Sequence, residues 1–384
     1  MRRPTGVMMV LILAAITYWQ WPRAETLSPD SAAAVIAILG GGDTAGYARA
    51  LAPRPFSFPA DYGPHNDFRQ EWWYYTGNLQ TSEGRHFGYE LTFFRFALAP
   101  HEIARNSAWA TRQIYLAHFA LTDVQANRYL NEERIDRAAL GLAGAQGAPY
   151  KIWLEDWIAK GDTAQGLPMH LHAATSRMAI DLYLTNLKPM VLQGDKGLSQ
   201  KGDAPGDASY YYSLTRLATK GTVRIDDKTY VVSGLSWMDR EWSTSALEQG
   251  QVGWDWFALQ LSDQHELMFY RLRRKDGSID PHSSGVIVAA DGATKPLPPD
   301  AVNIFVTKHW QSPHSGVRYP AGWKLTVPSL GISLDIAPYI QDQEFNHRFR
   351  YWEGAVRITG QNNGHSVRGN GYVELVGYEL PRRE

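Results

Sequence analysis

The chain has 384 residues, a formal net charge of -1 and no cysteine. That length suits two domains of ordinary size, and the near-neutral balance excludes the basic face expected of a nucleic-acid binder. Without cysteine there are no disulfides, no thiolate catalysis, no zinc–thiolate centre and no lipoprotein-type anchor.

In chain order, Arg2 and Arg3 precede a largely apolar run, residues 6–21, closed by Pro22 and Arg23. A positive start followed by a short apolar core is the pattern of a secretory signal. The run is slightly short for a comfortable membrane span of about 20 residues. Residues 1–24 are therefore expected to export the chain, as a cleaved signal or as an N-terminal anchor in contact with the membrane. Residues 25–55 predict a short helical segment, capped near Asp30 or Ser31 and broken at Gly40–Gly42.

From about Phe56 the texture changes. Apolar and polar positions alternate in 88–96 (GYELTFFRF) and in 115–121, and hairpin signals stand at Glu83-Gly84, Asp276-Gly277, Asp291-Gly292 and Asn363-Gly364. Many short strands with tight turns predict an all-β chain of antiparallel barrels or sandwiches. The long Gly- and Asp-rich stretch 188–207 reads as a functional loop or an interdomain device. The predicted division is an N-terminal β-domain over 56–230 and a C-terminal one over 231–384.

Three stretches concentrate the chemistry: 69–75 (RQEWWYY), 236–242 (SWMDREW) and 253–257 (GWDWF). They hold six of the fourteen tryptophans: Trp72, Trp73, Trp237, Trp242, Trp254 and Trp256. A period of two along a strand sends Trp237, Asp239 and Glu241 to one face and Met238, Arg240 and Trp242 to the other, and it separates Trp254 and Trp256 from Asp255. Two carboxylates on one face repel unless a cation or a shared proton joins them. The set is therefore either a buried ion-pair cluster or a site holding a raised-pKa acid, and such an acid protonates substrates at neutral pH. Asp239, Glu241, Asp255 and Glu71 are the candidate acids. Glu71, flanked by Trp72 and Trp73, needs a partner such as Arg95, Arg112 or Arg216 if buried. Tyr211, in the aromatic strand 210–216, and His118 are further candidate pocket residues. Other chemistries fail: there is no G-x-S-x-G elbow, no Walker A sequence, and His170-x-His172 lacks a third ligand, so no metal and no cofactor are expected.

FPADYGPHNDFRQEWWYYTGNL, SYYYSLTRL, VSGLSWMDREWSTS, GWDWFALQL, YWEGAVRITG and GNGYVELVGY together resemble the AttH and carotenoid 1,2-hydratase-like family, from about Phe58 to Tyr378. The resemblance implies two lipocalin-like β-barrel domains, export in a bacterium to the periplasm or the outer face of the inner membrane, and an ABC-type permease as partner. Proteins of this group are often labelled secreted hydrolases. The hydratase branch adds water to an isoprenoid double bond, which requires a general acid, aromatic faces beside the carbocation and a positioned water. The chain departs from that branch in two places. Arg240 stands where the hydratases carry a histidine, and a guanidinium cannot relay protons; Arg271 or Leu272 stands near the place where they carry an acid. The expectation is thus a lipocalin-like binder of a lipid or isoprenoid-like molecule, accessory to the permease. The ligand would be contacted by Trp72, Trp73, His118, Tyr211, Arg216, Trp237, Arg240, Trp242, Trp254 and Trp256. The alternative is a hydratase- or hydrolase-like enzyme using the four carboxyl groups.

Overall fold

The computed structural model describes residues 44–102, 106–245, 247–248 and 250–379. The expected signal or anchor and most of the expected helical segment lie outside these residues. From residue 44 to 55 the chain runs through a turn and irregular stretches without a helix. Among the described residues helix is confined to three 3-10 turns, Ala60–Tyr62, Pro299–Ala301 and Pro328–Leu330. No helix there is long and apolar enough to cross a membrane.

Everything else of regular structure is antiparallel strand. The first sheet comprises β1 (Gln70–Gln80), β2 (His86–Ala97), β3 (Gln113–Asp123), β4 (Arg128–Arg137), β5 (Ala143–Gly147), β6 (Tyr150–Leu154), β7 (Trp157–Gly161), β8 (Met169–Ala174), β9 (Met178–Asn186), β10 (Val191–Leu192), β11 (Leu198–Gln200), β12 (Ala208–Ile225) and β13 (Lys228–Ser243). Its path is β4-β3-β2-β1-β13-β12-β9-β8-β7-β6-β5, with β10 and β11 beside β12. The sheet curls until β5 and β6 meet β3 and β4, giving a nearly closed barrel. The second sheet, a half-barrel, takes β14 (Gln251–Leu261), β15 (Glu266–Arg274), β16 (Ser284–Val288), β17 (Thr294–Leu297) and β18 (Asn303–Val306). After a separate hairpin of β19 (His309–Gln311) and β20 (Arg318–Pro320), it adds β21 (Trp323–Val327), β22 (Ile332–Pro338), β23 (Glu344–Asn346), β24 (Arg350–Asn362) and β25 (His365–Val376). The change of sheet therefore falls after Ser243: residues 231–243, expected to open the second domain, lie in the strand that pairs with β1 and β12 of the first.

Side-chain alternation sorts the core into three layers. Trp73, Tyr75 and Leu79 of β1 point into the first barrel, while Phe257, Leu259 and Leu261 of β14 point into the second. The intervening residues, Tyr74, Trp237, Trp256 and Ala258, meet in a third cluster between the sheets. The two halves thus pack back to back, and central strands such as β1 are buried on both faces. The first barrel is filled by its own chain. Phe56, Phe58 and Tyr62 pack against Tyr212, Trp242 and Tyr150, and the Trp73 indole donates to the Tyr62 carbonyl at 2.7 Å.

The stretch 188–207 runs along β12 and straps the sheets together. Lys188 reaches the second sheet, where its ammonium meets Glu266 at 2.8 Å and the Ala289 carbonyl at 2.7 Å. Arg216 binds the other oxygen of Glu266 and the Leu261 carbonyl. A wholly buried carboxylate is thereby held between two cations, one from the strap and one from β12.

Candidate functional site

Between the backs of the two sheets lies a small cleft with a cavity volume of about 100 Å³. Strand register builds its walls. On the first sheet Tyr211, Glu241, Trp72 and Phe94 are successive cross-strand partners on β12, β13, β1 and β2. On the second sheet Tyr270, Trp256, Glu374 and Glu353 are successive partners on β15, β14, β25 and β24. Both rows line the cleft, joined by Tyr74, Asp239, Trp254, Glu90 and Lys201. The Asn363-Gly364 turn sets the second row. Both residues take positive φ, 50° and 78°, as a two-residue hairpin of the tight mirror-image type requires. The turn aligns Asn362 with His365, and in the same register further back along the hairpin Glu353 faces Glu374.

Like charges directly opposite on adjacent strands destabilise a sheet, so this pair needs an account. Glu353 and Glu90 are buried, 2 % and 1 % exposed. Their donors are neutral: Tyr74 gives its hydroxyl to Glu353, while Thr92 and Tyr351 give theirs to Glu90 at 3.0 and 3.1 Å. The Glu90 and Glu353 carboxyls are close enough to perturb each other, and Glu90 Oε2 has no hydrogen-bond partner among the described residues. Two neighbouring buried carboxyl groups without a cation between them resist ionising together. Burial, reinforced by their mutual repulsion and by Glu374, holds the pair protonated well above the usual carboxylate range. Burial likewise pushes Glu374 up to about 7, against the pull of the Trp254 N–H at 2.9 Å.

Asp239 sits on the opposite wall. Burial raises it to about 7 although Ser213, Tyr211 (2.6 Å) and Trp237 (2.7 Å) all donate to it. A group balanced near neutral pH both gives and takes protons readily. At the far end Lys201, from the strap, points its ammonium over the Tyr270 ring at 3.7 Å and lies 3.4 Å from Glu241. Burial opposes its charge, but Glu241 and Tyr270 outweigh burial and keep it a cation.

Behind the Glu90–Glu353 pair runs a hydrogen-bonded chain. Tyr351, donating to Glu90, accepts from His118 Nδ1 at 2.6 Å, and His118 Nε2 faces Glu133 at 3.4 Å. Burial lowers the pKa of His118, so its resting form is neutral. His118 is thus one hydroxyl removed from the cleft it was expected to line.

Of the sequence candidates, Asp239, Glu241, Trp72, Tyr211, Trp254 and Trp256 converge on the cleft, and Trp237 stands behind Asp239. The others lie elsewhere. Glu71, Arg240, Trp73 and Trp242 face the interior of the first barrel, where Glu71 is bound by Arg95 and Arg240 and accepts the His65 backbone N–H at 3.0 Å. Burial alone would raise Glu71, but the two guanidiniums and His65 hold it below the usual range. It is an anion locked in a cage, unsuited to giving a proton. Asp255 faces the second barrel and is taken by Arg271, by Arg273 at 3.1 Å and by the Tyr378 hydroxyl at 2.7 Å. Arg216 belongs to the Glu266 strap, away from the cleft. Sequence reasoning missed Glu90, Glu353, Glu374 and Lys201. The first three did leave a signal: each is the lone charge in an apolar strand run, GYEL, YWEG and YVELV.

A family model described as AttH-like matches residues 49–378. The chain belongs to the AttH-like family. A crystal structure of an AttH protein from Nitrosomonas europaea is 34 % identical, with a TM-score of 0.77 over 86 % of this chain and all of that one. Kievitone hydratase from Nectria haematococca shares the fold at 16 % identity, with a TM-score of 0.66 over 86 % of this chain and 95 % of that chain. Kievitone hydratase from Fusarium solani subsp. phaseoli is 22 % identical over 212 residues, 53 % of this chain, and the match spans 59 % of its length. This AttH-like chain therefore carries the lipocalin-like fold that hydratases also use.

Proposed function

We propose that this AttH-like protein is an acid–base enzyme of the hydratase kind, acting on a carbon–carbon double bond of a lipophilic molecule held in the inter-sheet cleft. The observation that carries the reading is the buried Glu90–Glu353 pair, which has only neutral donors and lies against aromatic walls with Glu374 and Asp239 beside it. The protonated pair gives its proton to one alkene carbon, and the neighbouring carbon becomes a cation facing Trp72, Trp254 and Trp256. A water oxygen bonds to that carbon and passes its extra proton to Asp239 or Glu374, so that one water is added overall. Asp239 or Glu374 releases that proton to solvent, and the pair is reloaded as His118 takes up a solvent proton at Nε2 while its Nδ1 proton passes through the Tyr351 hydroxyl to Glu90. The hydratase names of two relatives point the same way, and this route needs nothing from Arg240, which lies outside the cleft.

The test is incubation with squalene, geranylgeraniol and prenylated phenols in ¹⁸O-labelled water. Mass spectrometry should find one labelled water added to a substrate by wild type, with the gain lost in Glu353→Gln. Tight binding without any mass change would overturn the enzyme reading and leave the second one, a carrier of lipophilic molecules, which the aromatic walls alone favour. Export and an ABC-type permease partner belong to either reading as proposals. Fusing residues 1–43 to a reporter enzyme active only outside the cytoplasm checks the first.

A further inference from the structure

The cleft has unlike ends. In each wall the row of partners crosses four strands, hence three steps of about 4.8 Å, so the ends are about 14 Å apart. One end holds Tyr211 and Tyr270 with Lys201 between them. The other holds the Glu90–Glu353 pair. Lys201 is more than nine-tenths buried, and its ammonium meets one carboxylate at 3.4 Å and the face of a ring at 3.7 Å. An ammonium has three N–H donors, so capacity is left over, and it is aimed into the cleft.

We propose that the Lys201–Glu241 end is a head-group subsite for a phenolic hydroxyl, and that the ligand is an elongated phenol whose hydrocarbon tail runs to the Glu90–Glu353 pair. Three classes of head group compete for this end. A carboxylate or phosphate would gain Lys201 but face Glu241, with Asp239 and Glu374 further along the walls. An amine would gain the carboxyls but face Lys201. A hydroxyl avoids both conflicts, because its oxygen accepts from Lys201 while its proton is donated to Glu241. A phenol fits better than an alcohol because Tyr211, Tyr270 and Trp256 offer aromatic surfaces for its ring. The proposal rests on the preceding reading for the cleft being the binding site, but not on any turnover there.

The experiment uses saturated probes, so it reads binding alone and is blind to acid chemistry. Affinities of 4-nonylphenol, 4-nonylanisole, nonylbenzene and 4-nonylbenzoic acid are measured by calorimetry at pH 7. The phenol should bind at least tenfold tighter than the other three. In Lys201→Met, checked for folding by its thermal melt, that preference should vanish while nonylbenzene binds as before. In Glu241→Gln it should shrink. Equal affinity of phenol and anisole, tighter binding of the benzoic acid, or a preference that survives in folded Lys201→Met overturns the proposal. The first two outcomes are read on wild type and hold even if the variants do not fold. Loss of labelled-water addition with the phenol preference intact would instead remove the enzyme reading and keep the subsite.

Discussion

Glu353 is the residue on which the chemistry turns, and its amide is a close mimic of its protonated form. In Glu353→Gln the side chain stays neutral, its NH₂ group can serve the unpartnered Glu90 oxygen, and the carbonyl oxygen still accepts from Tyr74. The variant should fold and bind ligand as wild type does, while turnover falls by a factor of 10² or more, the scale of a lost general acid; melts and single-turnover assays check the two halves. Tyr351→Phe breaks the chain from His118 to Glu90. Single turnovers should then survive while steady-state turnover falls, because reloading the pair is what the hydroxyl serves. The charges that were legible in the sequence announced themselves by crowding. Asp239 and Glu241 stood next to tryptophans, and period two placed them on one face. Glu90, Glu353 and Glu374 come from three different strands, β2, β24 and β25, so only the pairing of strands brings them together. Lys201 comes from a loop, where no periodicity tells the direction of a side chain.

At the scale of elements, two devices set the site. The first is the Asn363-Gly364 turn. Gly364 takes a φ of 78°, and a Cβ built there meets nothing within 4 Å, so the cost of Gly364→Ala comes from the backbone alone. It should destabilise by about 1–2 kcal/mol in urea unfolding, without altering the cleft unless the hairpin slips. The second is the strap. Removing Glu266 leaves the buried Lys188 and Arg216 without their anion, so Glu266→Ala should cost about 3–5 kcal/mol, measured by the same melts. The turn was readable from its dipeptide, and the 188–207 stretch from its length and composition. The placement of the final 16 residues of the first sheet, Lys228–Ser243, was not. From Ser236 on this strand is buried on both faces and so pairs equally well with either sheet on pattern alone, and register with β1 is a long-range property.

Across the whole molecule, protonation feeds back on stability. Asp239, Glu90, Glu353 and Glu374 all have folded pKa values above their unfolded ones, mainly through burial. Such groups stabilise fully below pH about 4 and lose that contribution as pH rises through about 7 and beyond. Asp61 and Glu71 act in the opposite sense, losing their contribution only in strong acid. The melting temperature should therefore peak on the acid side of neutrality and decline toward pH 9, with a shallower decline in Glu353→Gln; calorimetry across pH 4 to 9 checks this. The back-to-back packing has one more consequence. A lipocalin normally offers its ligand the inside of one barrel, and such a unit can be copied, shortened or exchanged as a module. Here Phe56, Phe58 and Tyr62 occupy that interior, and each half contributes one wall of the cleft from its back. Neither half can pass on this cleft by itself, so descent should conserve the two as a pair. A gene fragment encoding either one would inherit an apolar back with nothing to cover it.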